Sequence, residues 1–198
     1  MRPVIKDELR EDPGAVWMLR YQSGEEQAFD SLVEGYSPRV FALLTRFLGP
    51  TSNREDLVQE VFLRVIRARA SYVPEASFST WLYRIVFNLC VNETERRRIG
   101  SFSDSAVDSD DDWADAEASL PGEELERGDL VAAVRSAIAA LPRRQRMALV
   151  LAKYEELSYE EIATVLRSSE KAVKSMIHRA REALRVRLAQ FLDEEEVA

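Results

Sequence analysis

Cysteine and histidine occur once each in the 198 residues, as Cys90 and His178. One cysteine excludes an intrachain disulfide. Neither residue has companions that would make a metal site or a nucleophile with its base. Glycine is scarce, seven in all, and none falls in a phosphate-cradling loop of the G-x-x-x-x-G-K or G-x-G-x-x-G kind. No apolar run approaches the roughly 20 residues that cross a bilayer. The opening stretch MRPVIKDELREDPG has no apolar core of the signal-peptide kind. These absences argue against an enzyme, a metal or cofactor protein, and an exported or membrane-embedded chain. Paired carboxylates are available in any acidic chain and carry no weight alone. A reducing cytoplasm is the expected location.

What is present is charge, unevenly distributed. The net charge is −8, which at first sight disfavours nucleic acid. Between Ser101 and Asp129, however, eleven acidic residues face Arg127 alone, a net of −10. The remainder of the chain therefore carries +2, with its positive charge clustered. Distribution, not the total, decides whether a nucleic-acid surface is available.

Helical periodicity runs through the chain, and no alternating strand pattern interrupts it. Residues 14–22 read as a short helix and 25–35 as a second, with Phe29, Leu32 and Val33 inward. Ser37-Pro38 reads as the start of a third, which carries Val40, Phe41, Leu44, Phe47 and Leu48 and stops at Gly49-Pro50. Ser52 with Glu55 forms a capping-box pattern ahead of DLVQEVFLRVIRARA. There Leu57, Val58, Val61, Phe62, Val65 and Ile66 make the inward face. Asp56, Gln59, Glu60, Leu63 and Arg64 are left outside. After a loop over 71–77, FSTWLYRIVFNLCVNETERRR places Phe78, Leu82, Ile85, Val86 and Leu89 in helical phase. Trp81, Tyr83, Arg84, Phe87 and Asn88 are interleaved with them, and Cys90 reads as a small core residue. Aromatics mixed with Arg and Asn suit single-stranded nucleic acid, at about 1–3 kcal/mol per stacked base. The competing reading is that Trp81 and Phe87 are core and that Arg96, Arg97 and Arg98 answer the helix dipole.

Order dissolves over 100–128, where Ser, Asp, Ala and Glu dominate and Trp113 is the only tryptophan. This segment reads as an acidic flexible linker. Leu130, Val131, Val134, Ile138 and Leu141 then form one helix face. Pro142 opens another helix, with Met147, Val150, Leu151 and Tyr154 inward. The strongest local pattern follows in LSYEEIATVLRSSEKAVKSMIHRAREALRVRL, residues 157–188. Ser158 and Glu161 form a capping box, and Tyr159, Ile162, Ala163 and Leu166 line one face. Arg167, Ser168 and Ser169 break the helix. A second stripe, Val173, Met176, Ile177, Ala180 and Leu184, follows with Lys171, Lys174, Ser175, His178 and Arg179 opposite it. Two helices on a tight turn, the second basic on its open side, predict a helix-turn-helix whose second helix enters a major groove. The expected fold is all-α: two small helical domains, 1–99 and 129–198, joined by the linker 100–128, the C-terminal one a four-helix helix-turn-helix domain.

Taken together, DLVQEVFLRVIR, FSTWLYRIVFNLCVNETERRR and LPRRQRMALVLAKYEELSYEEIATVLRSSEKAVKSMIHRAREALR resemble the bacterial sigma-70 family of RNA polymerase sigma factors, extracytoplasmic-function group. The resemblance implies a promoter-specificity factor with no catalysis of its own. Its partners would be core RNA polymerase, promoter DNA and an anti-sigma factor. It implies that Asp56, Gln59, Glu60, Leu63 and Arg64 dock on the clamp helices of the polymerase largest subunit. It places Tyr72, Trp81, Tyr83, Arg84, Asn88, Arg96 and Arg97 at the minus-ten element, which is melted there. Lys171, Lys174, Ser175, His178 and Arg179 would read the minus-thirty-five element. Four positions depart from the family pattern: Arg167 stands where Gly is common, Ala172 for Thr, Met176 for Arg and Asn92 for Asp. A free-standing dimeric helix-turn-helix regulator is the alternative, and it would need a dimer interface and a ligand pocket.

Overall fold

The computed structural model describes residues 12–49, 53–102 and 123–192, and every regular element in them is helical. None of these helices is long and apolar enough to cross a membrane.

Helix α1 (Pro13–Gln22) begins where Asp12 caps it. The Ala15 amide donates to Asp12 Oδ1 at 3.1 Å, and Pro13 fills the position that needs no N–H. The other oxygen of the same carboxylate accepts the amide of Phe78 at 2.7 Å. Phe78 is the first residue of α4 (Phe78–Phe102), so one side chain holds the starts of two helices. Gly14 allows their close approach, since a Cβ there would lie 2.6 Å from the Phe78 ring and against the Tyr36 hydroxyl.

Helix α2 (Gln27–Leu48) corrects the sequence reading. Two helices divided at Ser37-Pro38 were expected, and one 22-residue helix runs through Pro38. The buried stripe explains it: Leu32, Tyr36, Val40, Leu43, Leu44 and Phe47 keep phase across the proline. Pro38 and Glu34, whose carbonyl loses its partner, both lie on the solvent side, where water can serve that carbonyl. Phe41, expected inside, is exposed beneath the Arg54 guanidinium, 5.2 Å from its ring centre.

Helix α3 (Arg54–Ala68) buries Leu57, Val61, Phe62 and Val65. Ile66 was expected inside and is 39% exposed, one position past the edge of the packed stripe. The expected Ser52 cap lies outside the described residues. A 3-10 turn, Arg69–Ser71, leads to Tyr72, and the Gln22 amide bonds the carbonyls of Arg69 at 2.9 Å and Tyr72 at 3.2 Å.

Helix α4 is covered on two sides, by α2 and α3 and by the C-terminal half. Tyr83 and Phe87 are therefore buried as well as Leu82, Val86 and Leu89. Cys90 is wholly buried, and that burial pushes its thiol pKa well above the usual range.

The C-terminal half is α5 (Glu123–Ala139), α6 (Arg143–Tyr154), α7 (Tyr159–Leu166), α8 (Glu170–Arg187) and the short α9 (Ala189–Leu192). Helices α4 and α5 extend into both ends of the segment 100–128, so that segment is not all linker; 103–122 lie outside the described residues. The capping box forms as expected, with Ser158 N–H to Glu161 Oε2 at 2.9 Å and Glu161 N–H to Ser158 Oγ at 3.2 Å. Ser169 caps α8 through the Ala172 amide at 3.2 Å. Met147, Val150, Leu151, Ile162, Val165, Leu166, Val173 and Ile177 fill the space between α6, α7 and α8. Leu130, Val131 and Tyr154 were expected inside and are exposed. The cores of the two halves run into one another, because α7 lies on α4 and α6 on α2.

Candidate nucleic-acid and polymerase interfaces

Arg167 makes the turn between α7 and α8 in the left-handed conformation, φ 47° and ψ 59°. Glycine is the usual occupant of such a place because it has no Cβ to clash. The turn aims α8 so that Val173, Ile177 and Ala180 pack down. Lys171, Lys174, His178 and Arg179 stand on the open side, with Ser175 half-exposed. None of the five engages an ion pair among the described residues. The ridge is thus rigid at its base, by caps and packing, and free at its tips, as a groove reader requires.

On α4 the helical repeat sorts the candidates by direction. Trp81, Arg84 and Asn88 share one line at i, i+3 and i+7, continued by Asn92. Trp81 and Arg84 are half-exposed, and Asn88, Asn92 and Arg96 are exposed. The Arg97 side chain lies outside the described residues. Trp81 is held edge-on by Tyr72, with ring centres 5.0 Å apart at 77°, and lies tilted at 37° against Phe78 at 5.5 Å. Tyr72 itself is only 3% exposed. Its hydroxyl finds no partner among the described residues, and burial raises its pKa. Tyr72 was expected at the DNA; here it is the floor on which Trp81 rests, because the chain entering α4 folds its ring inward.

Tyr83 was likewise expected at the DNA and is 1% exposed. Two residues from Trp81, it points to the far side of α4, which the C-terminal half covers. Its hydroxyl donates a short hydrogen bond to Glu155 Oε2 at the end of α6. Burial first, and then that carboxylate, push the phenol pKa upward.

On α3, Asp56 and Gln59 are exposed and Leu63 is 45% exposed. Glu60 and Arg64 are different, being half-buried and bonded to each other at 2.8 Å, with Arg67 3.6 Å from the same carboxylate. The bond from Arg64 holds the Glu60 carboxyl below the usual carboxylate range. The outward face of α3 is therefore a large apolar side chain flanked by free polar groups and one fixed ion pair, a composition suited to a protein partner.

Some groups that sequence reasoning missed lie between the halves. Glu155 meets Tyr83, and Arg143 pairs with Glu95 at 3.4 Å. Arg146 donates to the Phe47 carbonyl at 2.8 Å, and the Arg46 guanidinium covers the Tyr154 ring at 4.3 Å. No local signal marks them, since each exists only through docking of one half on the other.

Residues 32–99 match the family described as Sigma-70 region 2, and residues 132–184 match Sigma-70, region 4. The RNA polymerase sigma-H factor of Pseudomonas aeruginosa is 36% identical over 88% of this chain and 93% of its own length. The ECF RNA polymerase sigma-E factor of Escherichia coli is 36% identical over 85% of this chain and 91% of its own. Among solved structures, CnrH in complex with the cytosolic domain of CnrY has a TM-score of 0.64 at 27% identity, covering 92% of this chain and 99% of that one. The sigma factor RpoE from Bartonella quintana, in complex with the anti-sigma factor NepR, has a TM-score of 0.63 over 81% of this chain and 96% of that one. At 21% identity it speaks to the fold alone.

The chain belongs to the sigma-70 family, in its extracytoplasmic-function group. It is a factor that gives RNA polymerase its promoter specificity, and the free-standing dimeric regulator is not favoured.

Proposed function

We propose that this chain divides promoter work between its two exposed faces and a protein-docking helix. The open ridge of α8, Lys171, Lys174, Ser175, His178 and Arg179, reads the minus-thirty-five duplex; each good Lys or Arg contact to guanine contributes roughly 1–3 kcal/mol of discrimination. The line Trp81, Arg84, Asn88 and Arg96 on α4 holds the minus-ten strand once it is parted, and Arg97, next in the sequence, adds positive charge to that role. A flipped base costs a few kcal/mol of stacking, and an aromatic ring held edge-on at its base is placed to offset it. Asp56, Gln59, Leu63 and the Glu60–Arg64 pair dock on core polymerase. The domains are the two helical halves, the first running to the end of α4 and the second from the start of α5. No reaction is catalysed by the chain, the cytoplasm is its place of action, and an anti-sigma factor restrains it. The carrying observation is the α8 ridge, with its apolar stripe packed down and its basic tips free.

The test is a set of variants in reconstituted holoenzyme. Lys174→Ala with Arg179→Ala weakens upstream duplex contact about 10- to 100-fold and reduces the salt slope by about two. Asn88→Ala lowers minus-ten opening instead, and both keep their affinity for core polymerase. Equal loss of core affinity in both variants refutes the division.

A further inference from the structure

A pocket of about 510 Å³ opens where the start of α6 and the turn between α7 and α8 come up to α4. That volume suits a small ligand. Three guanidiniums line it: Arg143 and Arg144 from the first turn of α6, and Arg167 from the turn. Asn88 and Asn92, one turn apart on α4, bring two carboxamides, and Phe87 with Val91 supplies an apolar wall.

Arg167 is the informative member. Its φ of 47° is one of two positive values at non-glycine positions among the described residues. A Cβ is crowded in that conformation, and such strain persists where structure or function holds it in place. The side chain is exposed, lines the pocket and meets no carboxylate among the described residues. Arg144 is also exposed. It spends one of its N–H groups on the Leu166 carbonyl at 2.7 Å, which positions the guanidinium without neutralising it. Arg143 meets Glu95 at 3.4 Å, a largely exposed pair of the kind that yields to a stronger anion. Helix α6 has no side-chain cap at Pro142 and no acidic residue in its first turn, so the positive end of its dipole adds to the same field. Three guanidiniums against one carboxylate leave a net of +2. Arg167 and Asn92 are two of the four departures from the family pattern, and each makes the pocket more positive.

We propose that this pocket binds a small anion carrying two or more phosphates, free or on a nucleoside. Planar guanidiniums take phosphate oxygens in pairs, and three of them ask for more than one phosphate. The carboxamides each hold a donor and an acceptor, which suits the edge of a base, as Asn does with adenine. Asn88 also belongs to the line that holds the parted strand, so an occupant here excludes a base there. That consequence rests on the promoter reading; the binding itself does not.

The experiment titrates the full chain, without polymerase or magnesium, with ATP, GTP and inorganic tripolyphosphate by calorimetry. Binding is expected with a Kd below about 100 μM, weakening as salt rises. Arg167→Gly should lose about tenfold or more in affinity. Its urea midpoint should rise at the same time, so misfolding does not account for the loss. Arg167→Lys, which keeps the charge without the fork, should fall between. ATP or GTP bound at least about tenfold more tightly than tripolyphosphate assigns the pocket to a nucleotide, and Asn92→Ala then removes that margin. Equal affinities assign it to the inorganic anion. No binding of any of the three below about 1 mM, or full affinity in Arg167→Gly, overturns the proposal. So does a chain in which Arg167→Gly weakens only a single-stranded oligonucleotide, since the arginines then serve the DNA backbone. If ATP binds but fails to displace a fluorescent minus-ten oligonucleotide, the pocket stands and Asn88 leaves the strand-holding line.

Discussion

Replacing Asp12 should loosen two helices at once. Its Oδ1 accepts from Ala15 in the first turn of α1, and its Oδ2 accepts from Phe78 at the head of α4. An N-cap is worth about 0.5–2 kcal/mol, so Asp12→Ala should cost about 2 kcal/mol from the two ends together, and more if the Phe78 amide stays dry. For a chain of this size each kcal/mol moves Tm by about 2–4 °C, which predicts a fall of about 4–8 °C. Asp12→Asn separates the ends. Its single carbonyl oxygen can serve one amide while its NH2 cannot accept from the other, so it should lose about half as much. Thermal and urea unfolding followed by circular dichroism measures both. The functional echo lies in α4: with its start untethered, Trp81 should lose its fixed pose and minus-ten opening should fall in parallel. If Asp12→Ala costs less than about 0.5 kcal/mol, or if Asn and Ala are equivalent, the double cap does not act as argued.

Arg167→Gly relieves the left-handed strain at the helix-turn-helix turn and should stabilise the protein by up to about 1 kcal/mol, read as a raised urea midpoint with an unchanged slope. The raised phenol pKa values of Tyr72 and Tyr83 predict alkaline weakening. Above about pH 10 the unfolded chain sheds these protons while the folded chain retains them, so stability falls as pH rises. Below that pH the effect vanishes. Tyr83→Phe should flatten the fall, and a urea midpoint series from pH 8 to 11 measures it.

How much could be read in advance depended on the range of the interaction. The helix-turn-helix was legible because its signals are local: Ser158 with Glu161, Ser169 with Ala172, and stripes in phase within two turns of each. Pro38 misled because a local start signal was overruled by tertiary packing; the stripe from Leu32 to Phe47 is buried regardless of the missing N–H. The candidates on α4 divided for the same reason. Trp81, Arg84 and Asn88 follow one helical line and stay open, and that much is periodicity. Tyr83 lies on the opposite line, and nothing in its neighbours along the chain announces Glu155, 72 residues later. Tyr72 carries a polar tip that suits either groove or core, and only the fold of the loop before α4 decides. On α3, Glu60 and Arg64 sit one turn apart, so their pairing was readable, whereas the exposure of Ile66 follows from where its neighbours end.

Cys90 lies at the middle of α4 with both layers of helices over it. Alkylating reagents attack the thiolate, and this sulfur is shielded from them and held protonated. Cys90 follows Tyr83 by two turns on the same line of α4 and lies near Arg146 of α6, so its modification rate is a built-in stopwatch for the seam: parting of the halves should raise it before α4 itself unfolds.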